Sequence, residues 1–311
     1  MWSRLTLFTG NSNPALADKV CSLLGIRPGK LLVSRFSDGE VRVEISENVR
    51  GKDIYVLQST CPPVNENIME LLVLIDALKR ASAQRVNAIV PYYGYGRQDQ
   101  KDKPRVAIAA KVVADLLCVA GADRVIAIDL HADQIQGFFT IPVDHLQGTM
   151  VFVHVLQESL RGDEIVVAPD SGGVERARLF ASRLKLDLAL MDYRENGTLP
   201  RIVGNVKSRR VIILDDLIDT GRTVVRTANV AKAAGADIVD ACCVHPVLSG
   251  DAVENIVSSP IGMLMVTDTI PLSESAEKCG KIVTVSIAPM LAEVVKRVHF
   301  EESISSIFAE I

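Results

Sequence analysis

The chain has 311 residues, is 48% hydrophobic, and carries 34 basic against 38 acidic side chains, a net charge of −4. That length suits one large domain or, by preference, two ordinary ones with full cores, and the near-balanced charge gives no whole-chain case for nucleic acid or a membrane surface. No apolar run spans a bilayer, no signal peptide is read, and the six cysteines lack metal spacing, so buried free thiols in a cytoplasmic protein are expected.

In chain order, Leu5–Thr9 reads as a strand, Gly10–Pro14 as a turn, and Ala15–Leu24 as a helix ended by Gly25. Lys30–Phe36 and Val41–Ile45 read as strands around the turn Ser37-Asp38-Gly39-Glu40. Asp53–Gln58 is a buried strand, Asn65–Ala81 a long helix, and Arg85–Pro91 a strand. Tyr92–Val106, rich in Gly, Pro and charge, reads as a loop before a helix at Ala107–Ala120 and a strand at Val125–Ile128. Beyond it come a strand at Ile165–Ala168, a helix at Val174–Leu184 and a strand at Asp187–Met191. Asp192–Arg201 reads as a polar loop, followed by the strand beginning at Val211, a helix to Ala234 and a strand at Ile238–Val244. The tail alternates short strands with one helix, Met290–Val298.

A repeat is visible within this order: RVIAIDLHAD (Arg124–Asp133) and RVIILDDLID (Arg210–Asp219) share five of ten positions. Ala81-Ser82-Ala83-Gln84, Ala120-Gly121-Ala122-Asp123 and Ala234-Gly235-Ala236-Asp237 each precede a Val-containing strand by one residue. The spacing is too long and irregular for a solenoid. Two similar α/β halves, 1–146 and 147–311, account for it, and alternating strands and helices imply mostly parallel sheets.

The stretch Val211–Thr223, VIILDDLIDTGRT, organises the rest. An apolar run without alternation suits a strand buried on both faces. Acids at its carboxyl end, Asp215 and Asp216, lie where open α/β sheets bind ligands. Asp219-Thr220-Gly221-Arg222-Thr223 then leads into a helix N-terminus, whose N–H groups and hydroxyls make a phosphate seat. A plain acidic strand end is the alternative for the same residues.

Three other constellations carry chemistry. His131, in Asp129-Leu130-His131-Ala132-Asp133, follows a buried strand and suits a divalent ion or a phosphate; a structural histidine is the ordinary alternative. Asp170, before Ser171-Gly172-Gly173, suits Mg²⁺ carried by a nucleotide, with a plain βα turn as rival. Tyr95–Lys101 sets an aromatic beside a basic, glycine-hinged loop that could stack on a base and neutralise phosphate, or be a solvated charge run. Phe36–Glu40 reads as a hairpin turn.

Read together, FTGNSNPALA, FSDGEVRVEISENVRG, VPYYGYGRQD, DLHADQIQGFF, APDSGGVERAR, LDDLIDTGRT and CCVHPVLSGDAVENI resemble the ribose-phosphate diphosphokinase, or PRPP synthetase, family. The resemblance runs from Phe8 to about Phe308 and implies two tandem phosphoribosyltransferase-like domains, an ATP-side domain and a ribose-5-phosphate-binding domain. It implies transfer of the β,γ-diphosphoryl group of MgATP to the C1 hydroxyl of ribose 5-phosphate. It places Asp38, Gly39 and Glu40, from a neighbouring subunit, with Arg97 and Gln98 around ATP, and His131 and Asp170 on Mg²⁺. Asp219, Thr220, Gly221, Arg222 and Thr223 would wrap the 5-phosphate, with Asp215 and Asp216 on the ribose hydroxyls and a second metal. Homo-oligomers, usually hexamers, are the family's form. Where the family carries Lys-Arg-Arg and a longer lid, this chain has Tyr193-Arg194-Glu195; Arg222 stands where glycine is usual, and Gln100 where arginine is usual. Arg194 is therefore the expected catalytic cation, and a ligand-binding regulatory subunit of low turnover is the second reading.

Overall fold

The computed structural model describes residues 4–193 and 200–305. They divide into two compact units. One takes the chain up to Gln147 together with Thr269–Pro271 and the stretch from Ile287; the other takes Gly148–Asp268 and Leu272–Ser286.

The first unit opens with β1 (Leu5–Thr9) and α1 (Pro14–Leu24). Asn13 caps α1 through its side-chain oxygen, which accepts the Leu16 N–H, with Pro14 in the first turn where no N–H is missed. Gly25 ends it at φ +67°, the left-handed conformation a side chain would resist. A hairpin follows, β2 (Leu31–Arg35) against β3 (Val41–Ile45). Then come β4 (Asp53–Leu57), α2 (Val64–Arg80), β5 (Arg85–Val90), α3 (Ala109–Ala120), β6 (Arg124–Ile128), a 3₁₀ turn at Asp133–Phe138 and β7 (Val143–Leu146). The sheet runs β1-β4-β5-β6-β7, all parallel, in chain order. The interior strands β4, β5 and β6 are buried on both faces and are mostly apolar. Leu71, Leu74, Ile75 and Leu78 of α2 and Val113, Ala114 and Leu117 of α3 fill one core against Ile54, Val56, Val86, Ala88 and Val125. The helix Ala288–His299 returns to this unit and packs on α1. His299 Nδ1 lies 2.7 Å from the buried Asp53 carboxylate, which also takes hydrogen bonds from Arg85 and Asn87.

The second unit contains α4 (Met150–Gln157), β8 (Glu164–Ala168), α5 (Val174–Leu184), β9 (Asp187–Asp192), β10 (Arg201–Val203), β11 (Arg210–Ile218) and α6 (Arg222–Ala233). It continues with β12 (Ile238–Pro246), α7 (Ala252–Ser258), β13 (Leu264–Thr267), α8 (Glu274–Glu277) and β14 (Ile282–Val285); the returning helix Ala288–His299 is α9. The sheet order is β10-β9-β8-β11-β12-β13-β14, parallel except for β10 on β9. Val211–Leu214 are buried at the centre, each worth roughly 1.5–3 kcal/mol relative to exposure.

Both units are thus mostly parallel sheets flanked by helices, as expected. The strand orders differ, however: the first sheet follows chain order, whereas the second reverses between β8 and β11. The repeated RVI segments do form an interior strand of each sheet, β6 in the first and β11 in the second. The tail departs from its expected single helix, since α7 and α8 precede α9. Asp192 and Arg201, read as the ends of a loop, are instead partners across the β9–β10 pair, with an ion pair of 3.2 Å between them.

Candidate active site

A parallel sheet whose strand order reverses leaves a crevice at the strands' carboxyl ends. In the second unit that point lies between β8 and β11. β8 pairs with β11 only as far as Val167↔Ile213, and β11 runs on to Ile218. Asp215 and Asp216 therefore belong to the strand itself, not to a loop after it, and occupy the part that outruns β8. Both are buried. Asp170 follows the end of β8, where its Oδ1 accepts the Gly173 N–H at 2.9 Å. Gly172 and Gly173 border the same carboxylate; a Cβ on either would make only ordinary contact with Asp170 Oδ1, at 3.4 and 3.6 Å.

A residue that the sequence reading passed over completes the cluster. Arg176, in the first turn of α5, donates from Nη1 to Asp216 Oδ1 at 3.1 Å. Its position in APDSGGVERAR, three residues into the helix after Gly173, was the available signal. Burial, then Asp216 and Asp170, push the Asp215 carboxyl well above its ordinary value, while Arg176 pulls the other way.

The sign of that shift sets a pH dependence. A carboxyl raised in the folded state contributes stability that is complete below its unfolded value near 3.8 and is lost as pH rises through the folded value. Asp215→Asn removes this loss. In ligand-free protein, the variant is expected to melt above wild type at pH 8 by the equivalent of about 1–2 kcal/mol and level with it near pH 4. Thermal melts across that range check it; parallel curves would contradict the assignment.

The turn after β11 is held from the side. Ser249 Oγ donates to Asp219 Oδ1, Ser249 N–H donates to the Asp219 carbonyl at 2.9 Å, and Asn255 Nδ2 donates to the Thr220 carbonyl at 3.1 Å. Gly221 enters α6 at φ +75°. These bonds leave Thr220–Thr223 opening onto a helix N-terminus, a general anion seat. Arg222 and Thr223 are exposed there.

In the first unit, His131 follows β6 and is exposed. The 92–106 loop lies beside it: a Cβ on Gly96 would be 3.7 Å from His131 Cβ. The loop is anchored by Tyr93 Oη on the Ala110 carbonyl, by Tyr95 Oη on Asn65, and by the Ala110 N–H on the Gln98 carbonyl. Buried Asp99 accepts from Gln134, while Arg97 and Gln98 are exposed. Arg97, Gln98 and His131 are thus neighbours along one loop region. Asp38, Gly39 and Glu40 are at the exposed tip of the β2–β3 hairpin, where Glu40 N–H donates to Asp38 Oδ1. Arg194, the expected catalytic cation, lies outside the described residues. Tyr193 is described, and its ring stacks 5.5 Å from the Arg226 guanidinium.

Among the described residues, no three of His, Cys, Asp or Glu are grouped as a metal cage. The hard oxygen donors of Asp170, Asp215 and Asp216 suit a Mg²⁺ brought in by phosphates, which binds through one or two carboxylates. All six cysteines are free, and Cys21, Cys61, Cys242 and Cys243 are buried.

A mostly parallel sheet with acids at its switch point, followed by a turn into a helix N-terminus, makes a ligand-binding α/β protein of the open-sheet class with a terminus suited to a phosphate. Residues 5–121 match the family described as the N-terminal domain of ribose phosphate pyrophosphokinase, and 195–309 the phosphoribosyl synthetase-associated domain. The chain is 52% identical to a ribose-phosphate pyrophosphokinase of Burkholderia pseudomallei (98% of each chain) and 49% identical to that of Bacillus subtilis (98% and 97%). The crystal structure of phosphoribosylpyrophosphate synthetase from Mycobacterium smegmatis superposes with a TM-score of 0.92 at 40% identity, over 96% of this chain and 100% of that one. The chain belongs to the ribose-phosphate pyrophosphokinase family.

Proposed function

We propose that the chain transfers the β,γ-diphosphoryl group of MgATP to the C1 hydroxyl of ribose 5-phosphate, giving 5-phosphoribosyl 1-diphosphate and AMP. The observation that carries this reading is the cluster at the β8–β11 switch point, Asp170, Asp215 and Asp216 with Arg176, beside the Asp219–Thr223 turn. The turn and its N–H groups would take the 5-phosphate, and Asp215 and Asp216 the ribose hydroxyls, which fixes the C1 oxygen for in-line attack on the β-phosphorus. The bond to that phosphorus forms as the bond to the AMP oxygen breaks, and the hydroxyl proton leaves to solvent or base. His131 and Asp170 would hold Mg²⁺, which neutralises phosphate charge when bound. Arg97 and Gln98 would meet ATP from the anchored 92–106 loop. Arg194 would stabilise the transferring group. No observation favours a non-catalytic regulatory subunit.

In this reading residues 1–146 belong to the ATP side and the second half, 147–311, supplies the ribose-5-phosphate side, except for Thr269–Pro271 and the stretch from Ile287, which pack with the first unit. Asp38, Gly39 and Glu40 would reach the adenine of a neighbouring copy. The exposed apolar side chains of the hairpin, Leu32 and Phe36, support a homo-oligomer, and a hexamer is the form proposed. A cytoplasmic setting fits the free thiols, and among the described residues no helix is long and apolar enough to cross a membrane.

The test is AMP release from ATP by purified protein with ribose 5-phosphate and Mg²⁺. Stoichiometric AMP and PRPP, both abolished by omitting ribose 5-phosphate, are expected. Binding of ATP without AMP release would overturn the reading.

A further inference from the structure

The outer face of α6 carries a feature that the proposed reaction does not use. Positions 222, 225, 226, 229 and 230 fall on one side of the helix, since residues three and four apart are neighbours. Across from them stand Asp251 and Asn255 at the start of α7, and the two walls enclose a groove of about 420 Å³. Val225 and Val230 supply its apolar surface, and Asn229 a side-chain amide.

The charges in this groove are placed against the helix. Arg222 and Arg226 are like charges four residues apart, which repel. Arg222 opens the helix, where its dipole disfavours a cation. Neither arginine forms an ion pair among the described residues, although Asp251 lines the same groove. Arg226 is held over the Tyr193 ring, its Cζ 5.5 Å from the centroid, and a guanidinium bound through an aromatic face still has N–H groups to offer an oxyanion. An anion bridging the two guanidiniums relieves the repulsion, and nothing else described here does so.

We infer that the groove between α6 and α7 binds a phosphate monoester with a hydroxylated body, its phosphate on Arg222 and Arg226 and a hydroxyl on Asp251. The groove has the volume of a small-molecule site rather than of a single ion. Arg222 borders both this groove and the turn after β11. Arg226, one helical turn further on, belongs to the groove alone, so it separates the two sites. The ligand is therefore additional to the one seated on the turn.

The experiment is calorimetric titration of inorganic phosphate into the full chain already saturated with ribose 5-phosphate. One further phosphate site is expected. Arg226→Ala should weaken it at least about tenfold, Arg226→Lys, which keeps the charge but not the planar fork, should weaken it by less than Arg226→Ala does, and Asp251→Asn should tighten it by removing the opposing charge. Arg226 and Asp251 are exposed, and unchanged circular-dichroism melts verify that the variants fold. Absence of the further site, or Arg226→Ala binding phosphate as wild type does, overturns the inference. Failure of wild type to bind ribose 5-phosphate overturns the proposed function instead. The same titration on ligand-free chain then decides the groove by its dependence on Arg226.

Discussion

Arg176→Met is expected to lower the stability of the second unit by roughly 3–5 kcal/mol, because it removes one partner of a buried ion pair and leaves the other charged. Arg176 and Asp216 are both largely buried, at a donor–acceptor distance of 3.1 Å. Methionine keeps the volume and apolar stem of arginine, so the loss isolates charge from packing. The remaining cluster would hold Asp170, Asp215 and Asp216 with its cation gone, and the Asp215 carboxyl would rise further. Ribose 5-phosphate binding should weaken in parallel. Adding Asp216→Asn should recover much of the stability, since no uncompensated charge is then buried. Denaturant melts of the two single variants and the double variant measure the coupling. Additive losses would show that Arg176 acts through packing alone.

Arg194→Ala is expected to lower kcat by about 10²–10³ with little change in KM for ribose 5-phosphate. Charge spreads over the phosphoryl oxygens in transfer, and a cation that meets them only then acts on kcat. The alternatives are occupied elsewhere. Arg201 is paired with Asp192 at the root of the 193–200 connection, and Arg222 faces the α6 groove. Tyr193 stacks on Arg226 where the resembling family carries lysine. Tyr193→Lys should therefore raise turnover if a second cation is what the site lacks. Strong wild-type turnover left intact by Arg194→Ala would move the charge to another residue. Steady-state kinetics of AMP release distinguishes these outcomes.

How far the sequence led depended on the range of the interactions involved. Local signals were sufficient for α1, whose Asn13 cap, Pro14 and Gly25 all act within a turn. They were sufficient for the β2–β3 hairpin, because Gly39 supplies the positive φ its turn needs. The position of Asp170 at a strand end and the turn into α6 were likewise legible from apolar runs punctuated by Gly. The acids Asp215 and Asp216 looked like a strand terminus because charge ordinarily ends a buried strand. β11 continues through them since Arg176, forty residues earlier, and parallel pairing to β12 as far as Pro246 hold them in place. Ser249 and Asn255 were invisible for the same reason: their partners on the 219–220 turn are thirty or more residues away. β7 and the 3₁₀ turn before it escaped because Val143-Asp144-His145-Leu146 is short and half polar; Arg124 pairs with Asp144 and Leu130 N–H donates to His145 Nε2.

The return of α9 to the first unit makes the order of assembly differ from the order of synthesis. About 140 residues separate Gln147 from Ile287, so a ribosome adding about 5–20 residues each second needs roughly 7–30 s between them. During that interval β1 to β7 are complete, but α1 lacks α9, the helix it packs against. Asp53 meanwhile lacks His299, with Arg85 and Asn87 as its partners within the first half. The second unit, begun later, has its whole sheet before that helix emerges. The half of the molecule that starts first is the half that finishes last, and a nascent chain carries an unclosed apolar surface for most of its translation.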